Sequence, residues 1–171
     1  MRRSLIASAT GRPVRARGVV VAAVAIAALV LTGCLTADET SALKLVNQDR
    51  AANGVAPLAL NDKAITKAQG WATQLAQNSG GVCSSATLVH SDLTQGAPTG
   101  WRYLGENIAC RTVTGSVASA VGPLQNQFMN STGHRANVLN TRFTHVGIGI
   151  ASKSIGTNKW VVFETQYFVQ L

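Results

Sequence analysis

The chain holds three histidines, His90, His134 and His145, and the groups around them are the ones that could carry chemistry. His90 follows Leu88-Val89 and precedes Ser91. Glu106 stands in Gly105-Glu106-Asn107-Ile108-Ala109, and His134 in Ser131-Thr132-Gly133-His134-Arg135-Ala136-Asn137-Val138-Leu139. His90, Glu106 and His134 come from three distant segments of a small chain, which is how a cleft is assembled rather than a local motif. As ligands they suit a divalent metal such as zinc, with a fourth position left to water. The same groups could move protons. They could also form a structural hydrogen-bond cluster, since a histidine often caps a helix or bonds a buried carbonyl.

Ser131 lies three residues before His134, so both can share one side of a helix start. Ser131, His134 and Glu106 together would make a Ser-His-Glu hydrolase, although Ser131 fits a helix N-cap better. His145 shares a strand face with Gly147 and Gly149, whose missing side chains let another element or a ligand come close. Asn107 and Asn137 read as loop and helix-end hydrogen bonders, Arg135 as the partner of a carboxylate or a residue that packs its stem, and Glu164 as a surface or polar-network residue. The chain has no GxSxG elbow, no HExxH, no P-loop and no GxGxxG, so the common hydrolase, zincin and nucleotide signatures are missing.

The elements that must position these residues follow from periodicity. Leu43, Val46 and Arg50 recur at helical spacing within Ser41 to Asn53, and Gly54 stops that helix. Pro57 keeps Val55 to Leu60 extended. A second helix runs from the cap Asn61 to about Asn78, with Ile65, Ala68, Ala72, Leu75 and Ala76 as its buried stripe. Residues 80 to 114 lack clean periodicity and read as a long loop region, a length that is usually functional or stapled. A third helix is expected over Ser116 to Asn130, bent or started by Gly122-Pro123, and a short fourth over Thr132 to Leu139. Period-two alternation through Thr144, Val146, Ile148 and Ile150, and the Val-, Phe- and Tyr-rich stretch Lys159 to Val169, predict two strands joined by a turn at 154–158. Helices first and strands after point to an α+β layer, with helices packed on a small antiparallel sheet.

The first 33 residues have a different character. Five arginines, Arg2 to Arg17, precede an apolar run from Val19 to Thr32 that is too short for a spanning helix of about 20 residues. Leu31-Thr32-Gly33-Cys34 resembles a bacterial lipobox, which implies that Cys34 is lipidated and holds the protein at the membrane. The expected organisation is a signal peptide over 1–33, a tether over 34–40 and a domain over 41–171. Without the leader the charge falls from +8 to +3, from ten basic and seven acidic residues. No basic cluster interleaved with aromatics suggests a nucleic-acid partner. Cys83 and Cys110 remain as an even pair in an exported chain, where a disulfide is the default; free thiols or a metal pair are the alternatives.

The four segments around His90, Glu106, His134 and His145, together with Leu45-Val46-Asn47-Gln48-Asp49-Arg50 and Pro57-Leu58, are similar to the bacterial branch of the CAP superfamily, the SCP-like extracellular domain. The resemblance spans about Ala42 to Phe168. It implies an α-β-α sandwich with a surface cleft, in which His90 and His134 match two cleft histidines and Glu106 matches a cleft glutamate. Ser131 stands where a second cleft glutamate is expected. The function this implies is an exported, lipid-anchored envelope protein that binds a ligand, a metal or a cell-wall, lipid or protein component. The alternative is a peptidase or cell-wall hydrolase using the same cleft.

Overall fold

The computed structural model describes residues 35–171, so Cys34 and the apolar leader lie outside the described residues. The first helix, α1 (Ala37–Ala52), starts four residues earlier than its apolar spacing indicates. Thr36 is the reason: its hydroxyl accepts from Glu39 N at 3.3 Å, while the Glu39 carboxylate accepts from Thr36 N at 2.7 Å. Residues 37–40, expected as tether, therefore form a first helical turn, and Glu39 is buried with its other oxygen accepting from Ile150 N. Pro57 holds the connector extended, and Ala59–Leu60 forms a short strand, β1. Helix α2 (Asp62–Asn78) is capped by Asn61, whose side chain accepts from Ala64 N at 3.1 Å.

The long segment after α2 departs from expectation. It contains a 12-residue strand, β2 (Tyr103–Thr114). Glu106 to Cys110 are buried on both faces of the sheet, so polar and apolar residues do not alternate and no period-two signal appears. A disulfide joins Cys83 to Cys110, with Cα atoms 5.6 Å apart, and staples the remaining loop to β2. The third expected helix begins as a 3₁₀ turn over Val117–Ala120 and becomes α3 (Val121–Met129). Pro123 sits in the first turn of α3, where a missing N–H costs nothing. Helix α4 (Thr132–Val138) follows directly. The last strands are β3 (His145–Gly156) and β4 (Lys159–Gln170), turning at Thr157-Asn158.

The sheet order is β1-β3-β4-β2. The hairpin of β3 and β4 pairs antiparallel as expected and β2 joins β4 antiparallel, but β1 joins β3 in parallel, so the sheet is mixed. Alternate residues of β4 divide between two layers. Phe163, Tyr167 and Val169 pack with α2 residues such as Ala64, Ala68 and Leu75. Val162 and Phe168 pack with α1, α3 and α4 through Val46, Leu124, Phe128 and Val138. The result is the α-β-α sandwich expected.

Two local solutions hold the layers. A Cβ at Gly147 would overlap the Ala64 carbonyl, and one at Gly149 the Ala68 carbonyl, so α2 lies directly on the β3 backbone. On the opposite layer Arg50 is only 1% exposed, and no carboxylate pairs with it among the described residues. Its guanidinium donates to the carbonyls of Ala56 (2.7 Å), Val138 (2.7 Å), Asn140 (3.1 Å) and Phe143 (3.4 Å). Val138 ends α4 and Asn140 follows it, so Arg50 sits where helix carbonyls concentrate partial negative charge.

Candidate functional site

Glu106 is placed by β2 on the sheet face that carries α2, together with Ile108 and Cys110. Its side chain is 1% exposed, yet it accepts three hydrogen bonds from the stapled loop. Oε1 accepts from Ser91 N at 2.9 Å and pairs with His90 Nδ1 at 2.8 Å; Oε2 accepts from Ser91 Oγ at 2.6 Å. A carboxylate partner requires the hydrogen of His90 to sit on Nδ1, which leaves Nε2 free on a ring that is 58% exposed. This is the arrangement by which a carboxylate orients a histidine for a ligand on its other nitrogen.

His134 comes from α4. Its ring is half-buried, stands edge-on to Phe128 at 5.2 Å, and has a buried Nδ1 with no hydrogen-bond partner among the described residues. Burial lowers its pKa below imidazole's ordinary value, and the charge of His90 lowers it further. His134 is therefore neutral at pH 7 and keeps a lone pair. Its backbone is tied to β2, since Asn107 Nδ2 donates to His134 O at 3.0 Å and Asn137 Nδ2 donates to Glu106 O at 3.3 Å. The structure thus brings His90 and Glu106 into contact and sets His134 within electrostatic reach of His90.

Among the described residues no three His, Cys, Asp or Glu side chains are grouped as a metal would need. Both Glu106 oxygens are engaged by Ser91 and His90. Glu106 is thus spent on hydrogen bonds to the loop that carries His90. Ser131 occupies the N-cap position of α4 without a side-chain capping bond, and among the described residues no hydrogen bond joins it to His134 or His134 to Glu106. His145 lies at the start of β3, where its Nδ1 bonds Thr144 Oγ1 at 2.8 Å; Thr144 Oγ1 also accepts from Leu171 N. It shares no hydrogen bond with the other two histidines. The close approach that Gly147 and Gly149 permit is taken by α2.

Several participants carry no local sequence signal. Lys67 on α2 donates to the carbonyls of Asp92 (2.6 Å) and Gln95 (2.8 Å) and lies 5.0 Å from the Tyr167 ring centre. Tyr167 in turn donates to Leu93 O at 2.6 Å. Burial and then the charge of Glu106 push the Tyr167 phenol up to about 12. Both side chains clamp the loop that delivers Ser91 to Glu106. Only the adjacency of Ser91 to His90 could have drawn attention to it.

Behind β2 runs a buried polar chain. Gln125 donates to Asp49 (2.7 Å), Gln166 to Gln125 (2.8 Å) and to Glu164 (2.9 Å), Asn107 to Gln166 (3.2 Å), and Asn137 to Asn107 (2.9 Å). Glu164, read from sequence as a surface or network residue, is fully buried. Desolvation pushes its carboxyl up to about 7 against the lowering effect of Gln166, and Oε2 has no partner among the described residues. Arg135 pairs with no carboxylate among the described residues; it donates to Asn53 Oδ1 at 3.0 Å.

An α-β-α sandwich of four helices on a four-stranded mixed sheet is the fold of a CAP domain. The family model "CAP: Cysteine-rich secretory protein family" matches residues 43–170, and the chain belongs to that family. The uncharacterized protein YkwD of Bacillus subtilis (strain 168) is 28% identical over 136 residues, covering 74% of this chain and 48% of its own length. An extracellular protein containing a SCP domain from Bacillus anthracis str. Ames superposes with a TM-score of 0.57 at 29% identity, over 78% of this chain and 40% of that one. An outer surface protein of Borrelia burgdorferi has a TM-score of 0.57 at 15% identity, over 78% and 92% of the two chains, a likeness of fold alone. The chain thus spans about half the length of the curated relative it matches.

Proposed function

We propose that this is an exported, lipid-anchored CAP-domain protein of the bacterial envelope whose cleft binds a ligand through His90 and His134 and does not hydrolyse it. The observation that carries the reading is the state of the two imidazoles. His90 is oriented through Nδ1 by a buried carboxylate with Nε2 turned outward, and His134 is kept neutral by burial. The exposed Nε2 of His90 and the ring of His134 offer acceptor nitrogens, suited to a ligand N–H or O–H or to a divalent metal, zinc first. Glu106 serves as the positioning group behind His90 and supplies no direct bond to the metal. Two protein ligands and no second carboxylate make zinc binding modest.

Neither serine of the cleft has the environment of a nucleophile. Ser91 Oγ gives its hydrogen to Glu106, and Ser131 lacks a base among the described residues. Export and anchoring rest on the leader, on Leu31-Thr32-Gly33-Cys34, and on the extracellular character of the Bacillus anthracis relative. Calorimetric titration of metal-stripped protein with zinc tests the cleft. Binding is expected in the wild type, and His90→Ala and His134→Ala should each weaken it about tenfold or more. Unchanged affinity in both variants, or peptidase or wall-hydrolase activity abolished by Glu106→Ala and His134→Ala, would overturn this reading.

A further inference from the structure

The groove between β2 and α3 has its own chemistry. It is an open surface groove of about 420 Å³ lined by Arg111, Pro123, Asn126, Gln127 and Asn130. The volume lies within the range of small-ligand sites. None of its four polar side chains makes a hydrogen bond or ion pair within the protein among the described residues, whereas Asn107, Gln125, Asn137 and Gln166 on the same sheet face are all bonded to one another. Asn126 and Asn130 stand one turn apart on α3 and so share a face.

Charge is unevenly divided along the chain. Residues 93–171 carry Arg102, Arg111, Arg135, Arg142, Lys153 and Lys159 against Glu106 and Glu164, a balance of +4; residues 35–92 carry four basic and five acidic residues, a balance of −1. Both glutamates are buried, and Glu106 is bonded to His90 and Ser91, so no exposed side-chain carboxylate competes for Arg111 from this half. A guanidinium offers a planar fork of donors that matches a carboxylate. The three amides both donate and accept, and the last carbonyls of a helix lack intrahelical donors. A bare anion would meet those carbonyls unfavourably, because the end of α3 carries partial negative charge. A ligand that brings hydroxyls as well as an oxyanion satisfies both sets.

We propose that the Arg111 groove is a binding site for an acidic glycan, with the sugar carboxylate on the Arg111 guanidinium and the sugar hydroxyls on Asn126, Gln127 and Asn130. This site is separate from the histidine cleft and does not depend on its ligand. The purified full chain is titrated by NMR with oligogalacturonate, with a neutral galactan of equal length and with inorganic polyphosphate. Oligogalacturonate is expected to shift the amide signals of Arg111, Asn126, Gln127 and Asn130 and to bind about tenfold more tightly than the neutral glycan. Arg111→Gln should remove that tenfold advantage, and Asn126→Ala should weaken both glycans together. Lys159→Gln, which removes a charge from the same half outside the groove, should change affinity less than twofold. All these side chains except Pro123 are exposed, so the variants keep the fold. Three outcomes overturn the proposal: no binding of oligogalacturonate, polyphosphate binding at the same signals as tightly, or Lys159→Gln weakening binding as much as Arg111→Gln.

Discussion

The two faces of the sheet are built on opposite principles. Beneath α2 the contact is backbone to backbone: Ala64 and Ala68 meet Gly147 and Gly149 with no side chain between them. Beneath α1, α3 and α4 the apolar packing is threaded by a buried polar chain from Asp49 through Gln125, Gln166 and Asn107 to Asn137, with Arg50 bonding four carbonyls nearby. At Gly147 and Gly149 the first face is positioned by steric exclusion and leaves no room for a Cβ. The second is positioned by hydrogen-bond directionality, and its cost is concentrated in groups that burial strips of water. The candidate cleft draws on both, taking Glu106 from the α2 face and His134 from the helix layer opposite.

Adding one methyl group to the steric face should have the largest effect. Gly147→Ala places a carbon inside the Ala64 carbonyl, so α2 must lift from β3, and destabilisation should exceed about 4 kcal/mol. Urea unfolding followed by circular dichroism measures it, with Gly133→Ala in open space on α4 as a control expected to lie within about 0.5 kcal/mol of wild type. An unshifted midpoint for Gly147→Ala would mean that the faces do not differ as described.

On the polar face, Arg50→Met removes the side-chain donors to the carbonyls of Val138, Asn140 and Phe143 while conserving much of the volume. The expected loss is about 3–5 kcal/mol, with hydrogen exchange accelerated first at the end of α4. A neutral or stabilising result would show that those carbonyls find other donors, and that directionality is not what holds this layer.

The smallest effect sharpens the comparison through pH. The folded protein holds the Glu164 proton to about 7, above the ordinary carboxyl value of 4.5, so folding binds a proton that the unfolded chain releases. Stability from this group is complete below pH 4.5, falls as pH rises through that value towards 7, and is level above it, a change of up to about 3 kcal/mol. Glu164→Gln keeps an oxygen for the Gln166 donor and cannot ionise. The variant should match the wild type near pH 4.5 and exceed it by about 2–3 kcal/mol at about pH 8. Parallel wild-type and variant stability curves between those two pH values would show that Glu164 reaches water when ionised.

Much of this organisation was legible in the residue pattern. The α2 stripe of Ile65, Ala68, Ala72, Leu75 and Ala76 repeats at helical spacing, and Asn61 marks its start, so element, face and cap were all readable. β3 announced itself by alternation and β4 by its wealth of Val, Phe, Trp and Tyr. His90, Glu106 and His134 were picked out by type and motif. β2 was not readable, because it is buried on both faces and, unlike β4, sets Gly105, Glu106 and Asn107 in its buried stretch where a run of β-branched and aromatic residues would have marked a strand. The first turn of α1 was missed because its signal is the Thr36–Glu39 box and not an apolar period.

The sequence by itself determined which residues could act and which faces must be buried, because local spacing and residue type set periodicity, capping and the even pair of cysteines. Only the tertiary structure decided what those residues do to one another. Glu106 turned from an expected metal ligand into the support of His90 because Ser91, brought in by the stapled and clamped loop, engages both of its oxygens. His134 became the neutral partner because α4 sets it against Phe128 and away from water. Arg50 and Glu164, ordinary as letters, became strongly desolvated ionisable groups because the layers close over them. Burial and the direction of hydrogen bonds depend on segments far apart in the chain, and no local pattern records them.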